Sequence, residues 1–250
     1  MPGYLTKQAR IAIPGAADLL IRSLLDLQQF SDPLGAAERR GISSAAWPLF
    51  GMPWPSGAYL ATRMASHPLK AQERILEIGC GLGLASLVGH RRGACMTASD
   101  CHPLAEAFFI ENLRLNGLAP MAYRRGQWGA QRLSNDDADL QVQGRFDLII
   151  GSDLLYERDP GGDLAAFIGR HAMAAAEVWI VDPDRGNRPA FTRHMASLDF
   201  SLRQEKLHRP ACDGNAAYKG RMLIYSRGQC VRPDPDARPV QPASPAAPAW

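Results

Sequence analysis

The chain reads as an α/β protein, a doubly wound, mostly parallel sheet of seven strands with an antiparallel last strand. Three observations predict this. From Arg74 to Leu198, short apolar runs alternate with helix-spaced segments, the pattern of strands joined by helical crossovers. Within that stretch, Ile75–Ile78 runs straight into glycines at every second position and then into the helix-spaced segment opening at Leu84. The last two strand-like segments, Phe200–Lys206 and Arg221–Tyr225, have no helical segment between them, so a hairpin-like antiparallel addition is expected.

Taken in order, residues 14–30 place Leu19, Leu20, Leu24, Leu25 and Leu27 at near-helical spacing after Pro14-Gly15, which predicts an amphipathic helix. Asp32-Pro33 supplies a cap and a first-turn proline for a second short helix ending at Gly41. Residues 1–44 are therefore expected to be a helical segment packed on the core. Trp47 to Gly57 carries Pro48, Pro53 and Pro55 with Trp47 and Trp54, a rigid loop unsuited to ladder or helix. Its tryptophans require burial, so it is either a hydrophobic plug or the wall of a pocket. A helix follows at Ala58–Ala65.

Ile75–Gly79 is the first strand of the sheet, Leu84–Arg92 the first crossover helix, and Ala94–Ser99 the second strand, closing on Asp100. Pro103–Asn116 is a helix stopped by Asn116-Gly117. Met121–Arg124 is a third strand, and residues 126–145 form a polar loop holding Asn135, Asp136, Asp137 and Asp139. Phe146–Gly151 is apolar without alternation, as in a strand buried on both faces. Gly162–Ala175 is a helix, Val178–Val181 a fifth strand and Pro189–Leu198 the last helix. Residues 45–227 thus make one domain. In residues 228–250 prolines from Pro233 to Pro248 are interleaved with alanine, a composition that predicts a disordered tail.

Composition narrows the classes further. A chain of 250 residues with 46% hydrophobic and 21% charged residues suits one soluble domain with a real core. A net charge of +3 is too small to argue for nucleic acid. The five cysteines are odd in number, scattered and free of C-x-x-C spacing, which argues against a disulfide framework or a zinc site and suits a reducing cytoplasm. The six histidines form no ligand-spaced pair, so no metal is expected. Met1–Arg10 lacks the apolar core of a signal peptide, and no apolar run approaches the roughly 20 residues of a membrane span.

The glycine loop narrows the ligand. A dinucleotide site reads G-x-G-x-x-G, but here Leu84 stands three after Gly81, and there is no Walker lysine for a triphosphate. Glu77, two residues before Gly79, would repel a pyrophosphate yet can accept a hydrogen bond from an ammonium group. Asp100 ends the second strand, where a carboxylate can hold ribose hydroxyls. The pattern favours a nucleoside bearing an amino acid over one bearing phosphates.

With these residues in view, the sequence resembles the class I, seven-stranded, Rossmann-like S-adenosylmethionine-dependent methyltransferases. Within them it is similar to the protein lysine methyltransferases numbered family 16. The resemblance covers roughly residues 45–226. It rests on Trp54-Pro55-Ser56-Gly57, on Leu76 to Gly83, on Asp100 and on Gln127-Trp128-Gly129. It rests too on Phe146 to Tyr156 with its acid-x-x-aromatic tetrapeptide Asp153–Tyr156. Asp182-Pro183-Asp184-Arg185-Gly186 also resembles the Asp-Pro-Gly-Arg turn of the branch acting on the electron-transfer flavoprotein β subunit, with Asp184 as a departure.

The resemblance implies S-adenosylmethionine as cofactor and a protein lysine as acceptor. It implies that Trp54, Glu77, Gly79, Cys80, Gly81, Gly83, Asp100, Trp128 and Ser152 bind the cofactor. Asp153 would orient the amine and help remove its proton, with Tyr156 as an aromatic wall; from the residues alone, Asp153 reads rather as a turn or helix cap before Leu154. Asn116 reads as a cap, and Asn112 has no assigned role. A small-molecule amine, a nucleic acid, or cofactor binding without catalysis are the alternatives. Nucleic acid is the weaker of these, since Ser152–Tyr156 lacks the Asn-Pro-Pro-Tyr type of motif. A monomer without membrane association is expected.

Overall fold

The structure is a computed structural model that describes residues 3–129, 140–211 and 217–228. Residues 229–250 of the expected tail, the acidic run Asn135–Asp139, and Cys212 and Cys230 lie outside the described residues.

The N-terminal segment is not helical. It is a hairpin of β1 (Thr6–Ile11) and β2 (Leu19–Leu24), paired antiparallel from Thr6↔Leu24 to Ile11↔Leu19. Pro14-Gly15 makes the turn rather than opening a helix: Ala16 N donates to Ile13 O at 3.0 Å, with Gly15 at a φ of 83°. Those are the residues a type II turn favours at its two centres. Along β2 the buried side chains alternate, Leu19, Ile21 and Ser23, so period 2 wins over the helix-like leucine spacing. The second expected helix shrinks to one 3₁₀ turn, Glu38–Arg40, capped by Gly41 at a φ of 72°. Asp32 does act as a cap, its Oδ2 accepting from the backbone N–H of Ala37 and Glu38, 2.9 Å each. The proline-tryptophan stretch also closes one 3₁₀ turn, Trp47–Gly51; Pro48 sits in its first turn, where a missing N–H loses no bond.

The remaining elements follow the expected order. They are α1 (Pro55–Ser66), β3 (Arg74–Ile78), α2 (Leu84–Arg91), β4 (Cys95–Asp100), α3 (Ala105–Leu115), β5 (Ala122–Arg125) and β6 (Phe146–Ser152). Then come α4 (Asp163–His171), β7 (Ala172–Asp182), α5 (Arg188–Ala196), β8 (Ser201–Arg209) and β9 (Tyr218–Arg227). Seven strands form one sheet in the order β5-β4-β3-β6-β7-β9-β8, parallel except for β9, which runs antiparallel to both neighbours.

Each central strand feeds two cores, because successive side chains point to opposite faces. Ile75, Leu148, Ile150 and Val181 join α1, α2, α3 and β2 on one face. Leu76, Ile78, Ile149, Val178 and Ile180 join α4 and α5 on the other. Burial of each such side chain contributes roughly 1.5–3 kcal/mol. The layering fixes which strand ends meet.

Candidate active site

The carboxyl ends of β3 and β6 lie side by side, where the strand order reverses and open α/β sheets take their ligands. The chain leaves β3 through Gly79, Gly81 and Gly83, at φ values of 56°, 51° and 75°. Side chains disfavour this left-handed region, and there is no space for one. A Cβ on Gly81 would lie 2.7 Å from the carbonyl oxygen of Phe50, and one on Gly83 would lie 2.4 Å from the Phe109 ring. The 3₁₀ turn at Trp47–Gly51 therefore walls the loop through Phe50, while Trp47, 1% exposed, plugs the core behind it.

The loop is held by its neighbours. Cys80 N donates to Ser99 O at 2.9 Å, Gly83 N to Cys80 O at 2.7 Å, and Gly81 N to Asp100 Oδ2 at 2.8 Å. The other oxygen of Asp100 accepts from His102 N at 2.8 Å. Burial raises the Asp100 carboxyl above its ordinary range, opposed by the N–H groups of His102 and Gly81. Each oxygen keeps a second lone pair, so an acid bonded this way can still accept a hydroxyl. Burial, reinforced by Asp100 and Glu77, pushes the Cys80 thiol up, so Cys80 serves the loop through its main chain.

Glu77 is 3% exposed, and its Oε2 accepts from Ser86 N at 2.7 Å in the first turn of α2. A carboxylate there satisfies one of the helix's open N–H groups. Burial moves its pKa up to about 7, against the pull of Ser86. Trp128 lies over the loop, its Cη2 and Cζ2 atoms 3.6 Å from the position of a Cβ on Gly79, and its Nε1 is buried with no partner among the described residues. Trp54 is the N-cap of α1, and its Nε1 donates to Leu49 O at 2.8 Å, bracing the 3₁₀ turn. Ser152 ends β6 beside α1, with Oγ 3.6 Å from the Cβ position of Gly57.

Asp153 follows at a φ of 57°, rare for a side chain and costing of order 1–3 kcal/mol. Its N donates to Val181 O at 3.0 Å, which holds the bend against β7. Its Oδ1 lies 3.3 Å from Arg185 Nη1, and Oδ2 is buried with no hydrogen-bond partner among the described residues. The cap reading fails here, since the carboxylate faces Arg185 instead of a helix end. Burial raises the carboxyl, opposed by the Ser56 hydroxyl and Arg185. Tyr156 is 44% exposed at the rim; burial of its hydroxyl, then Glu157, pushes it up to about 12.

Several neighbours were not singled out by sequence reasoning. Ser56 Oγ and Tyr218 OH are 2.9 Å apart and buried, and Tyr218 stacks on Tyr59 at 4.7 Å. Asp182, fully buried, accepts from Arg185 N at 2.9 Å through Oδ2, while its Oδ1 has no partner among the described residues. Ser56 and Arg185 stood inside recognised motifs, which was the available signal; Tyr218 had none.

A family profile described as lysine methyltransferase matches residues 43–196. The chain belongs to this family. Among curated lysine methyltransferases it is 28% identical over 160 residues to the electron transfer flavoprotein beta subunit lysine methyltransferase of Mus musculus, covering 63% of this chain and 58% of that one. It is 29% identical over 142 residues to the protein N-lysine methyltransferase METTL21A of Danio rerio, covering 55% and 63%. The chain thus spans about three fifths of the length of these relatives. Solved structures share the fold: a methyltransferase from Pyrococcus furiosus has a TM-score of 0.52 at 17% identity, covering 78% of this chain and all of that one. The 16S rRNA N2 G1207 methyltransferase RsmC of T. thermophilus, in complex with AdoMet and guanosine, has a TM-score of 0.53 at 17% identity, covering 89% and 51%.

Proposed function

We propose that this lysine methyltransferase family member transfers a methyl group from S-adenosylmethionine to a lysine side chain of a protein. The observation that carries the reading is Asp153 Oδ2, a buried acceptor without a partner among the described residues, at the end of β6 beside the glycine loop. A buried acceptor left open in this way is expensive unless a ligand completes it.

The residues present fit the cofactor. Gly79, Gly81 and Gly83 offer main chain without side chains, Cys80 offers its main chain with its side chain buried, and Asp100 retains acceptor capacity. The Nε1 of Trp128 supplies a donor, and Trp54, held by Leu49 in the 3₁₀ turn that walls the loop, is expected to supply an aromatic surface, which favours a cation. Glu77 and Ser152 complete the expected set. When bound, S-adenosylmethionine supplies a methyl group on a positively charged sulfur.

The work of the chain is to position and to manage one proton. An ammonium has no lone pair, so the lysine must lose a proton before it can attack. Asp153 Oδ2 accepts a hydrogen bond from the amine and fixes its direction. Tyr156, whose hydroxyl keeps its proton to about pH 12, walls the entrance as a neutral group.

The chain works as a monomer in the cytoplasm, a setting that suits the free thiols of Cys80, Cys95 and Cys101. The electron transfer flavoprotein β subunit is the first acceptor to try, from the name of the relatives. The test is gel separation of proteins labelled from tritiated cofactor, with a lysate arm and a purified β-subunit arm. Label in lysine that vanishes with Asp153→Ala, while cofactor binding by calorimetry persists, is the expected result. Undiminished transfer by Asp153→Ala, or label in nucleic acid alone, overturns the reading.

A further inference from the structure

The turn after β7 aims a cation at Asp153, and the packing around it explains how. Asp184 takes a φ of 64°, the conformation a glycine would take there, and is held by Arg188 and by Arg221 Nε at 2.9 Å. Arg185 N is pinned to Asp182 Oδ2. With the turn braced on both sides, the Arg185 guanidinium reaches Asp153 Oδ1 and leaves Oδ2 free of it. The pair is lopsided, with the arginine side chain 35% exposed and the aspartate 11%.

Other charged and titratable groups face Asp153 from the elements around it. Asp182 comes from β7 and Tyr218 from β9 through Ser56 of α1, while Tyr156, from the segment after β6, lies within the field of Arg185. Both tyrosine hydroxyls are pushed up to about 12, so they stay neutral. Arg185 is the permanent countercharge.

Resting on the methyl-transfer reading, we propose that Arg185 sets the protonation state of the acceptor. A lone buried carboxylate would hold an incoming lysine as an ammonium, the form without a lone pair. With Oδ1 already paired to Arg185, Asp153 presents Oδ2 to the amine as a neutral, charge-compensated pair. The lysine then binds as the free base: its third proton leaves for solvent, one of its two remaining N–H bonds donates to Oδ2, and the lone pair stays available. Arg185 is a positioning residue, acting through Asp153.

The test uses the full chain as wild type, Arg185→Gln and Arg185→Lys. Carboxyl-carbon NMR titration of Asp153 needs no ligand: its midpoint is expected to rise by a unit or more in Arg185→Gln and to return toward wild type in Arg185→Lys. n-Butylamine, the lysine side chain without its backbone, is then titrated with each protein while its amine-bearing carbon is followed. The amine midpoint is expected to fall with wild type and with Arg185→Lys, and to rise with Arg185→Gln. Identical Asp153 midpoints in all three proteins, or an amine midpoint that none of them moves, overturns the proposal. Failure of the methyl-transfer reading is separate, and shows as wild type giving no labelled lysine.

Discussion

Asn112 grips the main chain of Arg22 from both sides: its Oδ1 accepts the Arg22 N–H at 2.8 Å and its Nδ2 donates to the Arg22 carbonyl at 3.4 Å. One turn on, Asn116 does the same to Leu20, at 3.0 and 2.8 Å. Four residues of helix advance about 6 Å and two residues of strand about 6.6 Å, so two asparagines spaced by four can read a strand edge. They cover an edge of β2 that would otherwise be left open. Asn112 also donates to Leu82 O at 3.2 Å, which ties the hairpin to the glycine loop.

Asn112→Ala empties a fully buried site and strands the buried Leu82 carbonyl and the part-buried Arg22 N–H, so a loss of about 1–3 kcal/mol is expected. Asn116→Ala, at a part-buried site, is expected to lose less. Urea unfolding of both variants measures this, and a wild-type midpoint for Asn112→Ala contradicts it.

This clasp also explains where sequence reading stops. The bonds that make Leu19–Leu24 a strand come from β1 and from residues 90 and 96 positions away, while the local leucine spacing imitates a helix. The sheet was legible because each β–α unit carries its own apolar period and turn residues. In the site, the glycines and Asp100 were legible for a similar reason, being set by local backbone demands. The pairing of Ser56 with Tyr218 spans 162 positions, and Arg185 meets Asp153 across two strand ends; neither leaves a period to read.

Asp184 separates backbone strain from charge. Asp184→Ala removes the partner of Arg188 and Arg221 and keeps a left-handed φ of 64°, so a loss of about 1–3 kcal/mol is expected. Asp184→Gly loses the same ion pairs but relaxes the backbone, so it is expected to be the milder of the two by about 1 kcal/mol. Thermal unfolding ranks them; a glycine variant less stable than the alanine variant contradicts the argument.

Glu77 makes stability depend on pH in an unusual direction for a carboxyl. Burial keeps it protonated to about pH 7 in the folded chain, whereas the unperturbed group ionises near 4.5. Between those values the folded form binds more protons, so its contribution is full below about 4.5 and declines as pH rises through about 7. A shift of this size corresponds to about 3 kcal/mol. Glu77→Gln keeps an oxygen for Ser86 N and removes the titration. Its stability, measured in urea at pH 5 and pH 8, is expected to vary less than wild type; parallel curves contradict this.

The two tryptophans near the loop are expected to respond differently, because their indole N–H groups are committed differently. Trp54 Nε1 is bonded to Leu49 O, while Trp128 Nε1 is buried with no partner among the described residues. Trp54→Phe keeps an aromatic face and loses one internal bond, so stability is expected to fall by about 1 kcal/mol with cofactor affinity close to wild type. Trp128→Phe has no internal bond at Nε1 to lose but removes a donor that a ligand can use. Its melting temperature is expected to stay near wild type while affinity for S-adenosylmethionine falls about 3- to 10-fold, the equivalent of one hydrogen bond. Fluorescence titration and thermal unfolding of both variants decide this. Equal affinities for wild type and Trp128→Phe would leave its open N–H facing something other than the cofactor.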